Sequence, residues 1–174
     1  MHKILIAVLL CFSVQACGPL NLRKNYYQYD EIVVPGKTKI LNLSDTENST
    51  ERSEIYLDSD ASGSHHRFWL ATYVDGVPVP KYLQKVKNDL NSKNQGAQAI
   101  ALTPGKHTIQ LCWISVSRLG GGETCGQTIK DVDYQKGKVY WLKSAYDAEK
   151  RATLLWLEDP KTGQLYYGQK PSQF

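Results

Sequence analysis

The stretch that decides the fold class reads Ala97-Gln98-Ala99-Ile100-Ala101-Leu102-Thr103-Pro104-Gly105-Lys106-His107-Thr108-Ile109-Gln110-Leu111-Cys112-Trp113-Ile114-Ser115-Val116. In its second half, Ile109, Leu111 and Trp113 occupy alternate positions, with polar or small residues between them. A period of two is typical of a half-buried strand, and Pro104-Gly105 indicates a turn before it. This stretch therefore predicts strand, turn and strand, with one face of the second strand in a core.

Short apolar runs with Gly or Pro turns between them recur on both sides of this stretch. Further strands are predicted at 32–34, 40–43, 55–57, 67–74, 127–134, 138–146, 151–158 and 164–167. Turns are predicted at Asp75-Gly76, Lys136-Gly137 and Asp159 to Gly163. The polar segments 44–54, 81–95 and 117–126 are predicted to be exposed and not in strands, with a possible helical turn around Leu83 and Val86. The pattern predicts an all-β fold with little helix, as an antiparallel β-sandwich (Ig-like, or a small barrel).

Composition agrees with one exported β domain and excludes a nucleic-acid partner. The chain has 174 residues, with eleven Tyr and four Trp, and aromatic residues are favoured on pleated sheets. Its formal net charge is +4, and acidic and basic residues are interspersed. They form no basic stripe of the kind that nucleic-acid binding requires. We expect residues 31–174 to form a single domain, because this length suffices for one core.

The amino terminus has the parts of a bacterial export signal. Lys3 precedes an apolar block from Ile4 to Val14, which is too short to span a bilayer as a helix. The sequence Val14-Gln15-Ala16-Cys17 resembles the lipobox of bacterial lipoproteins, although Gln15 departs from the usual small or hydroxylated residue. An ordinary secretory signal that ends near a cysteine is the alternative.

The lipobox resemblance implies an anchored protein. Residues 1–16 would be removed as a signal peptide, Cys17 would carry the lipid, and residues 17–30 would form a tether. Several acyl chains on one residue anchor a protein stably, whereas a single chain binds a bilayer only marginally. In related lipoproteins an Asp after the lipidated cysteine commonly retains the protein in the inner membrane. Gly18 occupies that position here, which favours the outer membrane of the cell envelope.

The four cysteines separate by position. Cys11 lies in the signal and Cys17 is the lipid site, so Cys112 and Cys125 remain as an even pair in an oxidising compartment. A disulfide between them would close a loop of about 14 residues, which the chain-entropy model values at ~3 kcal/mol. A zinc site is the alternative, but it needs two further ligands and the neighbouring sequence lacks the usual spacings.

Three motifs over about 70 residues carry a second resemblance. They are Val74-Asp75-Gly76, the run Pro104-Gly105-Lys106-His107-Thr108-Ile109, and Gly137-Lys138-Val139-Tyr140. The order V-D-G, P-G-x-H-x-I, G-K-x-Y resembles a loose group of bacterial lipoproteins and periplasmic β-sandwich modules of unknown function. The resemblance implies a fold and no activity.

One stretch resembles a calcium loop. Asp58, Asp60 and Ser62 place oxygen ligands at alternate positions before Gly63, as a calcium loop does. Its twelfth position is Trp69 instead of Glu, so an ordinary turn is the preferred interpretation and no metal is assigned. His65-His66 is interpreted as a solvated loop pair.

Other candidate residues are interpreted mainly as structural. His107 is assigned to hairpin packing or hydrogen bonding, and nothing in the sequence fixes Glu123 and Asp131 as a carboxylate pair. Five aromatic residues could form a glycan platform but are assigned mostly to the core: Trp69, Tyr73, Trp113, Trp141 and Trp156. Tyr166-Tyr167 is predicted to be an exposed pair.

These observations favour a non-enzymatic lipoprotein with no catalytic residue and no cofactor. Its partners would be membrane lipid, through acylated Cys17, and another envelope protein, a glycan or an external ligand. Two alternatives stay open. One is a metal-dependent envelope enzyme or binder using Asp58, Asp60 and His65 or His66. The other is an inhibitor of a secreted enzyme, acting through a protruding loop at 117–126.

Overall fold

The architecture is that of a computed structural model, which describes residues 32–62, 65–80, 96–117 and 120–171. Every regular element in these ranges is a strand, so the predicted all-β class is confirmed there. The strands are β1 (Leu41–Asn42), β2 (Ser53–Leu57), β3 (Ser59–Ser62), β4 (His65–Val74), β5 (Val77–Pro78), β6 (Ala99–Leu102), β7 (Gly105–Ser117), β8 (Gly120–Tyr134), β9 (Val139–Asp147), β10 (Ala152–Glu158) and β11 (Leu165–Gly168). No helix long and apolar enough to cross a membrane occurs among these residues.

The strands form two separate sheets. The six-stranded sheet has the order β1-β6-β2-β9-β10-β11, and the five-stranded sheet has the order β3-β4-β7-β8, with β5 paired to β4. The pairs β1–β6 and β2–β9 are parallel and the others are antiparallel, so the predicted antiparallel pairing holds for most strand pairs but is wrong for these two. The sheets do not close on each other, which also excludes the small barrel for the described residues.

The main apolar core receives side chains from both sheets. Ile55 and Leu57 come from the six-stranded sheet, and Ile109 and Leu111 from the five-stranded sheet, each without solvent exposure. Burying one such side chain contributes about 1.5–3 kcal/mol relative to leaving it in water. The alternation predicted in β7 is confirmed. Its opposite face carries Cys112 and Ile114, which join Phe68 and Leu70 of β4 in a second buried cluster.

The hairpin at Asp75-Gly76 is confirmed as well. Asp75 has φ 51° and Gly76 has φ 78°. Positive φ at both central residues is the requirement of the two-residue turn whose twist matches that of paired strands. The turn brings Val77 opposite Val74 and joins β4 to β5.

Several segment boundaries differ from the prediction. Residues 32–34 are not in a strand, and of the run 40–43 only Leu41–Asn42 is. The predicted loop over 117–126 is wrong: Gly120 onward belongs to β8, which pairs with β7 along its length. The signal at 1–16, Cys17, the tether at 17–30 and the segment 81–95, with Leu83 and Val86, lie outside the described residues.

A disulfide joins β7 to β8. Cys112 and Cys125 are direct cross-strand partners, with Sγ atoms 2.01 Å apart and Cα atoms 4.0 Å apart. This agrees with the predicted bridge, but the bridge links two paired strands instead of tying down a loop. Cys112 is buried in the second cluster, while Cys125 is exposed.

Removing this bridge is expected to destabilise the domain measurably. The double substitution Cys112→Ala and Cys125→Ala should lower the free energy of unfolding by about 3 kcal/mol, because the unfolded chain regains the entropy of a 14-residue loop. Urea unfolding of the variant and of wild type, with and without reductant, measures this change. Reduced wild type should match the variant, and a difference below ~1 kcal/mol between oxidised wild type and the variant would contradict the prediction.

Candidate functional site

A cleft of about 300 Å³ opens at one end of the space between the two sheets. The five-stranded sheet contributes β3, β4 and β7 to its walls, and the six-stranded sheet contributes β9 and β10. The residues that line it are Asp58, Ser59, Asp60, Arg67, Trp69, Trp113, Ser144, Ala145, Tyr146 and Thr153. They come from five separate parts of the sequence.

The cleft exists because the inward-facing positions change from apolar to polar along two strands, β4 and β9. Alternate residues of a strand point to the same face. On β9 the core face therefore runs from Leu142 through Ser144 to Tyr146, and on β4 it runs from Trp69 to Arg67. Leu142 and Trp69 are in the main core, whereas Arg67 and Tyr146 are exposed. The space between the sheets thus ends in a solvent-exposed opening that is lined by polar and aromatic side chains.

Trp69 forms the inner end of the cleft. It is only 2% exposed, and its indole Nε1 donates a hydrogen bond to Ser144 Oγ at 3.0 Å. This bond crosses from one sheet to the other. The Trp69 ring packs against that of its cross-strand partner Trp113, with centroids 5.0 Å apart and planes tilted by 47°. Two packed indoles give the cleft a rigid aromatic surface.

Tyr146 forms the outer aromatic wall. It lies on β9 opposite Thr153 of β10 and is 68% exposed. Trp113, by contrast, is half-buried. The cleft therefore offers aromatic surface at two depths, next to the hydroxyl groups of Ser144 and Thr153.

Asp58 is held by an ion pair. Lys143 Nζ lies 3.3 Å from Asp58 Oδ1 and 3.8 Å from the centroid of the Trp141 ring. Burial raises the pKa of the Asp58 carboxyl above its usual value, and the neighbouring Lys143 ammonium opposes that rise. The charges of the Asp58 carboxylate and the Lys143 ammonium thus neutralise each other at the edge of the cleft.

Asp60 and Arg67 are different, because neither charge has a partner among the residues that the structure describes. They are cross-strand partners on β3 and β4, and both side chains are exposed. Neither side chain makes a hydrogen bond or an ion pair with any residue that the structure describes. Two opposite charges on one wall are therefore available to a ligand.

The structure places the proposed calcium residues in a strand. Ser59 to Ser62 form β3 and pair with His65 to Phe68, so these four residues are extended and do not form a calcium loop. Gly63, at which the preferred turn would bend, lies outside the described residues. Asp58 and Asp60 do both line the cleft. His65 and His66 belong to β4 and not to a loop.

The zinc alternative at the cysteines does not hold either. In the described ranges, one group of three potential metal ligands is Cys112, Glu123 and Cys125. Both sulfurs are consumed by the disulfide, and Glu123 Oε1 lies 3.0 Å from Cys125 Sγ. A disulfide sulfur carries no proton, so we interpret this as a contact and not as a hydrogen bond. Asp131 lies eight positions further along the same strand and does not pair with Glu123.

His107 connects the Asp75-Gly76 turn to the turn before β7. Its Nδ1 lies 2.6 Å from Asp75 Oδ2, and its Nε2 lies 2.7 Å from the carbonyl oxygen of Thr103. The other oxygen of Asp75 accepts a bond from the Thr108 amide at 2.8 Å. Both ring nitrogens are engaged, which agrees with the predicted structural role.

This arrangement predicts an acid-sensitive contribution to stability. Burial alone would raise the pKa of Asp75, but hydrogen bonds from His107 and Thr108 outweigh it and hold the pKa below its usual value. A carboxyl with a lowered folded pKa stabilises the fold above its unfolded pKa of about 3.9, and this contribution is lost as pH falls through the folded value. Because the side chain is 48% exposed, we expect less than ~1 kcal/mol at pH 7.

The test compares Asp75→Asn with wild type in urea between pH 7 and pH 2.5. Asn tolerates positive φ, so the turn should be retained. The variant should be less stable at pH 7, and the two should converge below pH 4. Parallel curves across this window would show that Asp75 does not supply the acid sensitivity.

The aromatic residues separate into core and cleft. Trp69 and Trp156 are buried as predicted, Trp141 is half-buried, and Tyr73 is 40% exposed. The prediction of Tyr166-Tyr167 as an exposed pair is wrong. Both pack against the main core, and the Tyr166 ring lies 4.8 Å from that of Tyr140.

Sequence reasoning missed Tyr146, Arg67, Ser144 and Thr153 as candidate site residues. The signal that could have found Tyr146 is its position, which continues the Tyr140-Leu142 face of β9 beyond the apolar residues. The chain matches no protein-family model, no curated protein and no solved structure. The resemblances to the lipobox and to the β-sandwich modules therefore stay predictions.

Proposed function

We propose that this chain is a lipid-anchored lipoprotein of the bacterial outer membrane whose β-sandwich domain binds a ligand in the cleft without catalysis. The observation that carries the binding role is the open mouth between the sheets, with exposed Tyr146 beside Asp60 and Arg67. Small-molecule sites are typically concave and partly apolar, with a few convergent polar groups. The Val14–Cys17 motif supports the anchor.

The state of the reactive groups supports binding over catalysis. Both nitrogens of His107 are engaged, the Asp58 carboxylate pairs with Lys143, and the sulfurs of Cys112 and Cys125 are bonded to each other. A nucleophile normally needs a base within hydrogen-bond reach. These four groups are thus used to hold the domain together.

The anchor is tested by the mass and location of the natively expressed protein. Wild type should be found in the outer-membrane fraction, start at residue 17 and carry the added mass of its acyl chains. The variant Cys17→Ser, which cannot form the thioether, should stay unlipidated and lose this location. Wild type of unmodified mass in the soluble fraction would refute the anchor.

The binding role is tested separately by crosslinking in the envelope. A photoreactive phenylalanine analogue replaces Tyr146 in the native lipoprotein, and the same analogue replaces Tyr73 as a control outside the cleft. An adduct is expected from position 146 and not from position 73. Equal labelling at both positions, or none at either, counts against the cleft as the binding site.

A further inference from the structure

We infer that the cleft binds a neutral saccharide, with one pyranose ring packed on Tyr146 and Trp113 and its hydroxyl groups bonded to Asp60 and Arg67. This inference rests on the proposed function, since it names the ligand class of that cleft. Four properties of the cleft lead to it: its size, its aromatic surface, its unpaired charges and their balance.

The size of the cleft favours a ligand of one or two rings. Its volume of about 300 Å³ lies at the lower end of the range of ~300–1,000 Å³ found for small-molecule sites. Tyr146 is exposed at the mouth, so further units of a longer chain can continue into solvent.

The aromatic surface favours a ligand with a flat apolar face. Tyr146 is 68% exposed and Trp113 is half-buried, so both rings offer area that water now covers. Aromatic side chains combine a large apolar contact surface with few rotatable bonds. A pyranose ring presents C–H groups on its faces and hydroxyl groups at its edge, which suits aromatic rings bordered by polar groups.

The unpaired charges exclude a purely apolar ligand. Asp60 and Arg67 would lose water without gaining a partner if a hydrocarbon filled the cleft, and burying an unpaired charge is costly. A hydroxyl group can donate to the Asp60 carboxylate and accept from the Arg67 guanidinium. Neighbouring sugar hydroxyls match both at once, and bonds to charged groups are the stronger class.

The charge balance favours a neutral ligand over an ionic one. Lys143 lies 3.3 Å from Asp58, and Arg67 is the cross-strand partner of Asp60. Among the described residues, two acidic and two basic groups lie at or beside the cleft, and their charges balance. An anion would meet the Asp60 carboxylate and a cation would meet Arg67, whereas a polyhydroxyl ligand meets no like charge.

The test titrates the full-length lipoprotein with three neutral trisaccharides, which are tri-N-acetylchitotriose, cellotriose and maltotriose. The detergent is a polyoxyethylene ether, because a glycoside detergent would itself supply sugar rings. At least one trisaccharide is expected to give a saturable change in tryptophan fluorescence, since Trp113 and Trp69 lie at the cleft. Galacturonate oligomers and free amino acids serve as charged comparison ligands and should bind more weakly.

Matched variants locate the binding. Tyr146→Ala and Arg67→Gln should each weaken the saccharide by about tenfold or more, a factor that corresponds to 1.4 kcal/mol. Tyr73→Ala removes an exposed tyrosine from β4 outside the cleft and should leave the affinity unchanged. Arg67 is exposed, so Arg67→Gln keeps the test valid if Tyr146→Ala fails to fold.

The failure of this inference can be told from failure of the proposed function. If position 146 crosslinks a ligand in the envelope but no neutral saccharide binds, the saccharide is wrong and the binding role stands. The inference is also overturned if a charged comparison ligand binds more tightly than the neutral saccharides. It is equally overturned if Tyr146→Ala and Arg67→Gln leave the saccharide affinity unchanged. The absence of lipid on Cys17 would concern the anchor alone.

Discussion

Replacing Trp69 by alanine is expected to lower the free energy of unfolding by about 3–5 kcal/mol, the range for removing a large aromatic side chain from a core. Trp69 is 2% exposed, packs on Trp113 and donates a hydrogen bond across the two sheets to Ser144. The substitution removes apolar burial, ring packing and the inter-sheet bond together. Urea unfolding followed by circular dichroism measures the loss.

Three controls separate these contributions. Trp69→Phe keeps most of the apolar volume and should cost less than Trp69→Ala. Ser144→Ala leaves the buried indole N–H without its acceptor, which should cost about 1–3 kcal/mol. Tyr73→Ala, on the same strand at a position 40% exposed, should cost less than either Trp69 variant. If Tyr73→Ala and Trp69→Ala lowered the free energy of unfolding equally, the prediction that Trp69 is a main stabilising residue of the core would be wrong.

Replacing Gly168 by alanine is expected to cost roughly 2–5 kcal/mol, from about 1–2 for the left-handed conformation and about 1–3 for overpacking. Gly168 has φ 78°, and an added Cβ would overlap the carbonyl oxygen of Leu155 and lie 3.0 Å from Trp156 Cα. Since these are backbone atoms of the paired strand β10, relief requires β11 to move away. Tyr166 and Tyr167 would then lose their packing on the core.

Gly163→Ala is the matched control for this prediction. Gly163 has φ 69°, but an added Cβ there meets no atom within 4 Å. The Gly163→Ala substitution is therefore expected to cost about 1–2 kcal/mol for the left-handed conformation, with no added cost from steric overlap. Comparing the two urea midpoints isolates the steric part. Equal destabilisation by the two substitutions would mean that β11 adjusts freely.

The features that were predictable from sequence are local ones. Asp75-Gly76 fixes a hairpin because both residues can adopt positive φ, and the alternation of Ile109 and Leu111 fixes which face of β7 is buried. Strands β4, β7, β9, β10 and β11 follow from such patterns, with ends displaced by a few residues. Turn chemistry and side-chain period act over a few residues, so neighbouring residues suffice to reveal them.

The errors arise where tertiary contacts override local preference. Gly120 to Gly126 has little strand propensity, yet the Cys112–Cys125 pair and the ladder with β7 hold it extended. The stretch from Asp58 to Ser62 resembles a calcium loop because its side-chain oxygens occupy alternate positions. That alternation is also the period of a strand, so the pattern alone cannot distinguish the two.

The cleft was less predictable than the fold. Asp58, Asp60, Trp69 and Trp113 were singled out for separate reasons, and the structure brings all four to one cleft. Their convergence depends on which strands are neighbours. A side-chain pattern reveals a strand but not its partner, so the contributions of β9 and β10 could not be foreseen.

The parallel pairing of β2 with β9 sets the order in which this protein can assemble. Glu54 aligns with Val139, so the two strands meet across 139 − 54 = 85 positions of sequence. Contacts this distant in sequence slow folding, because the chain loses conformational entropy before the strand pairing stabilises it. A nascent chain that ends before residue 139 lacks β9, which is one of the two strands that pair with β2. Ile55 and Leu57 then lack their neighbours on β9. Such a chain exposes part of its apolar core until β9 (Val139–Asp147) is available to pair.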